Sequence, residues 1–385
     1  FFFIIFNCYF LVNINPMNIN LIFTYGVSLN DWKKSGILDR ELELYRRMIA
    51  NNGSVINLIT FGDDKDENIL LDEKNFNIFP VYKYIRKRKS PLLNFLFSLL
   101  IPFKLKEELS NADLIKTNQL HGSWIGIILK FLISKPLIVR TGYNAYEFSI
   151  QERKSKVKQL FYFYLTKYSI KFSDKYFVSS KSDLNFLTKY FKNVKHVEIF
   201  PNWIESLRYQ DFKNRYSNKI LSVGRLEDQK NYQFLINKLA NSDIVLDIIG
   251  EGSKKEELEK LAKENNVKIN FLGRLNYFDL QEVYKSYRIF IMPSLFEGNP
   301  KALLEALASG CLVVALHNKN ISEIIVHKKN GILFYPETDL ETELKKYLSS
   351  ESDFNEITIA GYDYIKKNNL IDYLLKKEVE IYQNL

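Results

Sequence analysis

Ile289-Phe290-Ile291-Met292-Pro293-Ser294-Leu295-Phe296-Glu297-Gly298-Asn299-Pro300-Lys301-Ala302-Leu303-Leu304-Glu305-Ala306-Leu307 decides how the chain is read. An apolar run ended by Pro293 has the pattern of a buried strand. The stretch rich in Leu and Ala that follows reads as a helix, with Asn299 suited to the N-cap and Pro300 to the first helical position. The segment is then a strand, a loop carrying Glu297, and a helix whose free N–H groups face a cleft. Glu305 lies about a turn and a half inside that helix, so the two carboxylates address different parts of one ligand.

The same cadence extends outward in both directions. Strands are predicted at Ile19 to Thr24, Val55 to Phe61, Leu114 to Thr117, Leu137 to Thr141, Lys175 to Ser179 and Lys195 to Ile199. The second half restarts with strands at Ile220 to Val223, Ile244 to Ile249, Ile269 to Leu272, Ile289 to Met292, Leu312 to Ala315 and Ile332 to Phe334. Helices fall near Asp39 to Asn51, Ser123 to Ile133, Arg153 to Phe172 and Lys181 to Tyr190. Apolar runs alternating with amphipathic stretches indicate parallel strands joined by crossover helices. The predicted fold class is α/β, with two tandem Rossmann-like doubly wound domains facing a central cleft, where open parallel sheets bind ligands. Expected divisions are 1–16 as a non-native or disordered leader, 17–204 and 205–365 as the two domains, and 366–385 as a closing helix packing back on the first. Phe200-Pro201-Asn202-Trp203 and the polar stretch Tyr209 to Lys219 read as the linker. The leader reading rests on Met17, the first Met, standing directly before a strand-like run. Phe1 to Val12 is apolar, but lacks a charged lead and is shorter than the about 20 residues needed to cross a bilayer.

With 385 residues, 46% of them hydrophobic and 26% charged, the chain buries real cores and is neither a disulfide mini-protein nor disordered. Cys8 and Cys311 are too few for a disulfide framework or a cysteine zinc site. The net charge of +9 is uneven: residues 1–210 hold 30 Lys/Arg against 19 Asp/Glu, and the remainder 24 against 26. A basic first half suits an anionic surface, either nucleic acid or phospholipid. His196, His317 and His327 lack metal-ligand spacing. Asp64-Lys65-Asp66 has the spelling of a metal-binding Asp-x-Asp, but it lies in a loop crowded with Asp63, Glu67 and Asn68 and lacks the Gly and Glu of a calcium loop. No metal is expected.

A second marked stretch is Ser222-Val223-Gly224-Arg225-Leu226, followed by Glu227-Asp228-Gln229-Lys230. A strand ending in Gly224 turns tightly and lets Arg225 and Lys230 project from the loop and the first turn of a helix. That is a natural place for a diphosphate, because a guanidinium and an ammonium add to a helix amino terminus.

Arg225 and Lys230, together with Glu297 and Glu305 separated by seven residues, resemble the retaining nucleotide-sugar glycosyltransferases of the GT-B architecture, called family 4 or glycosyltransferases group 1. The resemblance is strong from about residue 199 to 349 and weaker over most of the chain. Phe200-Pro201-Asn202, Ile249-Gly250-Glu251-Gly252, Phe271-Leu272-Gly273, Ser309-Gly310, Glu323, Gly331 and the closing Glu378 to Leu385 are similar to further family positions. The resemblance implies that Arg225 and Lys230 hold the diphosphate of a UDP-, GDP- or ADP-sugar and that Glu297 binds hydroxyls of the transferred sugar, helped by backbone N–H groups around Gly298 and Asn299. Glu305 would accept from the ribose. Gly224, Gly252, Gly273, Gly298, Asn299 and Pro300 would line the nucleotide site, and no cofactor is implied.

The first domain departs from the family. Where many members carry a His, Leu137 to Tyr143 reads Leu-Ile-Val-Arg-Thr-Gly-Tyr. Arg140 or Tyr143 is expected in that space, with His121 a poorer candidate. The glycine-rich first loop is represented only by Ser35-Gly36, a guess for acceptor contacts. Two other functions are weighed. A nucleotide-sugar epimerase or hydrolase fits the same architecture, but the paired glutamates favour transfer. A basic nucleic-acid-binding protein fits the charge, but no helix-turn-helix, zinc or aromatic ribonucleoprotein signature accompanies it. The expected partners are a nucleotide-sugar donor, a glycan or lipid-linked acceptor and an anionic membrane, with no nucleic acid. The expected location is the cytoplasm, at the inner face of its membrane. For that contact the basic run Lys83 to Lys89 and Lys104 to Lys106 flank Pro91 to Phe103, whose Phe95, Phe97 and Phe103 would enter the interface.

Overall fold

The computed structural model describes residues 15–209, 215–349 and 354–385. Seven parallel strands, β1 (Asn18–Ile22), β2 (Val55–Thr60), β3 (Phe76–Pro80), β4 (Leu114–Thr117), β5 (Leu137–Arg140), β6 (Lys175–Val178) and β7 (Val197–Ile199), form the first sheet in the order β3-β2-β1-β4-β5-β6-β7. Six more, β8 (Tyr216–Val223), β9 (Val245–Ile249), β10 (Lys268–Phe271), β11 (Tyr287–Met292), β12 (Leu312–Leu316) and β13 (Ile332–Phe334), form the second in the order β10-β9-β8-β11-β12-β13. In each sheet the order reverses at the first strand, which creates the crevice where ligands of such sheets bind. The architecture is two Rossmann-like α/β domains.

Helices cover both faces of each sheet, so central strands are apolar along their whole length rather than alternating. All six residues of β11 and all five of β12 are buried. The first sheet tolerates buried Asn20 and Asn57 because their amides satisfy one another. Asn57 donates to the side-chain oxygens of Asn18 and Asn20 at 2.7 and 2.8 Å, and Asn77 donates to Asn57 at 2.9 Å.

All twelve predicted strands are present, and one more was missed. β3 is an edge strand, Phe-Asn-Ile-Phe-Pro, whose half-exposed residues give no clean period. The linker reading needs correction. Tyr216 to Lys219 already belongs to β8, and buried Arg215 donates to the carbonyls of Tyr287 and Ser309 at 2.8 and 2.5 Å. Residues 1–14, which include Cys8 and nearly all of the expected leader, lie outside the described residues. Among the described residues no helix is long and apolar enough to cross a membrane.

The end of the chain returns to the first domain. Helix Asn355–Asn368 lies on the second domain, where Gly361 sits against Leu307 and Asn330. Helix Ile371–Gln383 packs Leu374, Leu375, Val379 and Tyr382 into the first-domain core with Ile19, Leu21 and Met48. Lys116 of β4 and Glu378 form an ion pair that is almost wholly buried, and the Tyr382 hydroxyl donates to Glu378 at 2.5 Å. The two crossings between domains run side by side. Ile204 N–H donates to Asn369 O at 2.8 Å, and Ile371 N–H donates to Ile204 O at 3.0 Å.

Candidate active site

A pocket of about 410 Å³ opens between the carboxyl ends of the two sheets. The second domain supplies Arg225, Gln229, Lys230 and Glu297 to Pro300; the first supplies Gly142, Tyr143, Ala145, Phe148, Glu152, Lys154 and Tyr162.

On the second-domain side, two loops are bound to each other. Gln229 Nε2 donates to Phe296 O at 2.8 Å, Leu295 N–H to Gln229 O at 3.0 Å, and Asn231 Nδ2 to Pro293 O at 3.1 Å. Lys230 sits in the 3-10 turn Asp228–Lys230, one residue short of the break at Asn231 (φ 57°) that precedes helix Tyr232–Lys238, rather than inside the helix as expected. Its ammonium pairs with Glu297 Oε1 at 2.5 Å, with the two side chains 15% and 8% exposed. Arg225 stands exposed on the pocket rim, and its guanidinium has no hydrogen-bond or ion-pair partner among the described residues.

Helix Lys301–Ala308 begins one residue later than expected, with Pro300 rather than Asn299 at the N-cap. Asn299 turns instead toward the domain crossing. Its Oδ1 accepts from Asn202 N–H at 2.9 Å, and its carbonyl accepts from Asn202 Nδ2 at 2.5 Å. Gly298 faces the first domain, where a Cβ would lie 2.3 Å from Gly142 O. A side chain there would hold the two walls apart.

Glu305 is buried and does not line the pocket. Tyr284 donates to its Oε2 at 3.2 Å, and Arg40 of the first domain lies 3.6 Å from its Oε1. Burial pushes its carboxyl upward despite Arg40 and Lys301 nearby. Lys301 donates to Glu41 at 2.8 Å and lies 4.6 Å from the Trp203 ring centre. Burial lowers Lys301 to about 8 against the attraction of Glu41. For Glu41 the balance goes the other way: burial would raise it, but Lys301 and Arg40 together hold it at about 2. Because both ions are desolvated, the net contribution of the pair is well below their mutual attraction.

Several expected residues lie away from the pocket lining. A Cβ at Gly224 would meet Lys230 Cε at 3.1 Å, so this glycine makes room for the lysine stem. Gly252 abuts the Leu226 backbone, where a Cβ would come within 2.4 Å of its carbonyl oxygen, and Gly273 accepts from Gly250 N–H at 2.7 Å. Both shape neighbouring turns. Ser35 donates to Asp31 O at 2.7 Å at the end of helix Leu29–Lys34, and Gly36 packs against Asn276 of the second domain. Arg140 donates to Asn202 at 3.1 Å. His121 hydrogen-bonds the Tyr162 hydroxyl at 3.3 Å, and burial, then Lys154, lowers its pKa. Of the first-domain candidates only Tyr143 lines the pocket, against Phe148 at 4.8 Å between ring centres.

Gln229, Phe148, Glu152, Lys154 and Tyr162 were missed. Gln229 lay inside the quoted loop, whereas Lys154 fell inside the helix predicted from Arg153 and Glu152 just before it, where nothing local marked either for the pocket. The Asp-x-Asp spelling has a structural explanation at Asp66, whose carboxylate accepts from Leu29 and Asn30 N–H at 3.0 and 3.1 Å and from Thr60 at 2.6 Å. Among the described residues no group of three or more His, Cys, Asp or Glu is placed to hold a metal.

Comparison with known proteins bears on this arrangement. Residues 204–364 match the family described as glycosyl transferases group 1. An uncharacterized glycosyltransferase of Methanocaldococcus jannaschii is 38% identical over 123 residues, covering 30% of this chain and 32% of that one. The chain spans about a third of the length of several such relatives. A UDP-Gal:alpha-D-GlcNAc-diphosphoundecaprenol alpha-1,3-galactosyltransferase of Escherichia coli is 24% identical over 298 residues, 71% of this chain and 74% of that one. In three dimensions the chain is similar to Anabaena HepE, solved with UDP and glucose, at a TM-score of 0.74 and 15% identity over 96% of this chain and 100% of that one. The fold is that of the GT-B glycosyltransferases, and the family match over residues 204–364 takes in the whole second-domain wall of the pocket.

Proposed function

We propose that the chain is a glycosyltransferase that moves a sugar from a nucleoside-diphosphate sugar to a glycan or lipid-linked acceptor, with retention and without a metal, in cell-surface polysaccharide or lipopolysaccharide synthesis at the inner face of a membrane. The observation that carries this reading is the Lys230–Glu297 pair beside exposed Arg225 in a pocket between two parallel sheets. The name of the Escherichia coli relative, which acts on a diphosphoundecaprenol-linked sugar, supports the acceptor class.

Breaking the bond from the anomeric carbon to phosphate leaves its electron pair on the diphosphate and cationic character on the sugar ring. Cations aimed at the departing phosphate stabilise that state more than the bound substrate. Arg225 is unengaged and meets the diphosphate first. Lys230 exchanges its bond to Glu297 for phosphate, which frees the carboxylate to accept from sugar hydroxyls. Glu305 reaches ribose hydroxyls only after releasing Arg40, so donor binding reorganises the cross-cleft contacts.

Thermal melts with UDP, GDP and ADP test the donor reading. A nucleotide at about 100 times its Kd stabilises by about 2.7 kcal/mol. Stabilisation by one of the three, followed by NMR of a product with the donor's anomeric configuration formed in EDTA, is the expected result. An inverted product or strict dependence on Mn²⁺ overturns the mechanism, and no response to any nucleotide overturns the activity.

A further inference from the structure

Two helices of the first domain leave their apolar sides uncovered. Helix Pro91–Ser98, capped by Ser90, turns Phe95 against Trp124 at 5.0 Å between ring centres, and buried Ser98 accepts from Trp124 Nε1 at 3.0 Å. This orientation sends Leu92 (67% exposed), Leu93 and Leu96 outward, followed by Leu100 and Phe103 (59%) in the next turns. Phe95 and Phe97 pack inward, so the residues that face solvent are these leucines and Phe103, not the three phenylalanines expected from the sequence. Helix Lys156–Phe172 buries Leu165, Ser169 and Ile170 and exposes Val157 (78%), Leu160 (55%), Phe161, Tyr164 and Tyr168 at three- and four-residue spacing. Phe95 meets Phe161 edge-on at 6.1 Å, which joins the two helices into one surface.

Basic residues border it. Arg86, Lys87, Arg88 and Lys89 are exposed immediately before the first helix; Arg153, Lys156, Lys158, Lys167 and Lys171 are exposed along the second. Arg88 stacks 4.1 Å from the Phe97 ring centre, and Asn94 bonds the Arg88 backbone at 2.7 Å in both directions, which fixes the basic run to the helix. At the far end Glu107 and Glu108 follow Lys104 and Lys106 and cancel their charge, so the positive rim lies at Arg86 to Lys89 and along the second helix.

We propose that this surface docks on an anionic phospholipid leaflet. At 8 and 17 residues, neither helix spans the about 20 residues a bilayer requires, but an apolar face edged with Lys and Arg is the pattern of a helix lying in the headgroup region. Charge decides between occupants. A second copy of the chain would set one basic rim against another, whereas anionic headgroups neutralise it at up to about 1 kcal/mol per residue. The surface borders the pocket: Glu152 and Lys154, in the turn that opens the second helix, and Tyr162 on its inner side all line it. The purpose of docking rests on the lipid-linked acceptor proposed above; the docking itself does not.

Sedimentation of the full chain with phosphatidylglycerol or phosphatidylcholine vesicles, at low and high salt, tests this. The chain should pellet with phosphatidylglycerol at low salt and be released by high salt. Leu96→Glu with Leu160→Glu, and separately Arg86, Lys87, Arg88 and Lys89 all changed to Gln, should each weaken vesicle binding at least tenfold while the thermal shift produced by a donor nucleotide is retained. The Gln variant decides the matter should the Glu variant fail to fold. Equal binding to both lipids, variants that pellet like wild type, or a dimer abolished by Leu96→Glu with Leu160→Glu would overturn the proposal. Vesicle binding without any nucleotide response would leave the docking face standing and remove the transferase reading.

Discussion

The two walls of the pocket are built by different means. On the second-domain wall, Gln229, Asn231 and Leu295 tie two loops together through backbone carbonyls, and Lys230 is already paired with Glu297. On the first-domain wall, Tyr143, Phe148 and Tyr162 present ring faces and edges, with Lys154 paired with Glu152 at 2.7 Å in the same turn and 5.7 Å from the Tyr162 ring centre. A wall fixed by its own hydrogen bonds is preorganised for one charge pattern. A wall of aromatic surfaces and long side chains adapts to ligands of differing shape. The contrast fits the transfer proposed above, in which the fixed wall takes the diphosphate and the adaptable one the acceptor.

The sharpest test acts on the fixed wall. Lys230→Ala should lower kcat/KM by at least about 100-fold, the usual cost of losing one preorganised charge-stabilising group, while the thermal midpoint falls little. Steady-state kinetics beside a melt separate the two, and a variant with near-normal kcat/KM would mean the Lys230–Glu297 pair is only a brace.

Whether the walls are held together from the side is a question for Glu41 and Lys301. Glu41→Gln should cost about 2 kcal/mol near neutral pH. Because the native carboxyl titrates at about 2, below its ordinary 4.5, its contribution is complete above about pH 4.5 and is lost as the pH falls toward 2. Urea titrations of both proteins from pH 7 to pH 3 should therefore show the gap closing below about pH 4.5, and a constant gap would assign the loss to packing.

Gly298→Ala probes the approach of the walls. Its methyl would fall on Gly142 O, a backbone atom that cannot swing aside, so the domains must part; about a tenfold fall in kcat, equivalent to about 1.4 kcal/mol, is expected at nearly unchanged stability. A smaller effect is expected on the adaptable wall. Lys154→Ala should raise the acceptor KM about fivefold, in keeping with about 1 kcal/mol for a partly exposed charge contact, and leave donor hydrolysis alone. Equal losses in both reactions would show that the two walls do not divide the substrates between them.

That division also explains what could be read from the sequence. Gly224, Arg225, Lys230, Glu297 and Glu305 lie in two short stretches because a strand, a turn and a helix amino terminus place them locally, and the six strands of the second sheet were found for the same reason. Phe148, Glu152 and Lys154 reach the pocket only through the packing of helix Ala145–Gln151 against helix Lys156–Phe172, which no local spacing encodes. Arg140 and Tyr143 are three residues apart on one strand end, yet one serves the crossing and the other the pocket. Nor could the sequence alone show that Arg40, far away in the chain, occupies Glu305.

Ile204 lies hydrogen-bonded to Asn369 and Ile371 where the chain passes twice between the domains. A single tether permits swivelling about its own axis as well as bending. Two tethers stitched together resist torsion, which confines any relative movement of the domains to bending about that seam. The register in which the fixed wall faces the adaptable one is thus set by this seam rather than by the walls themselves.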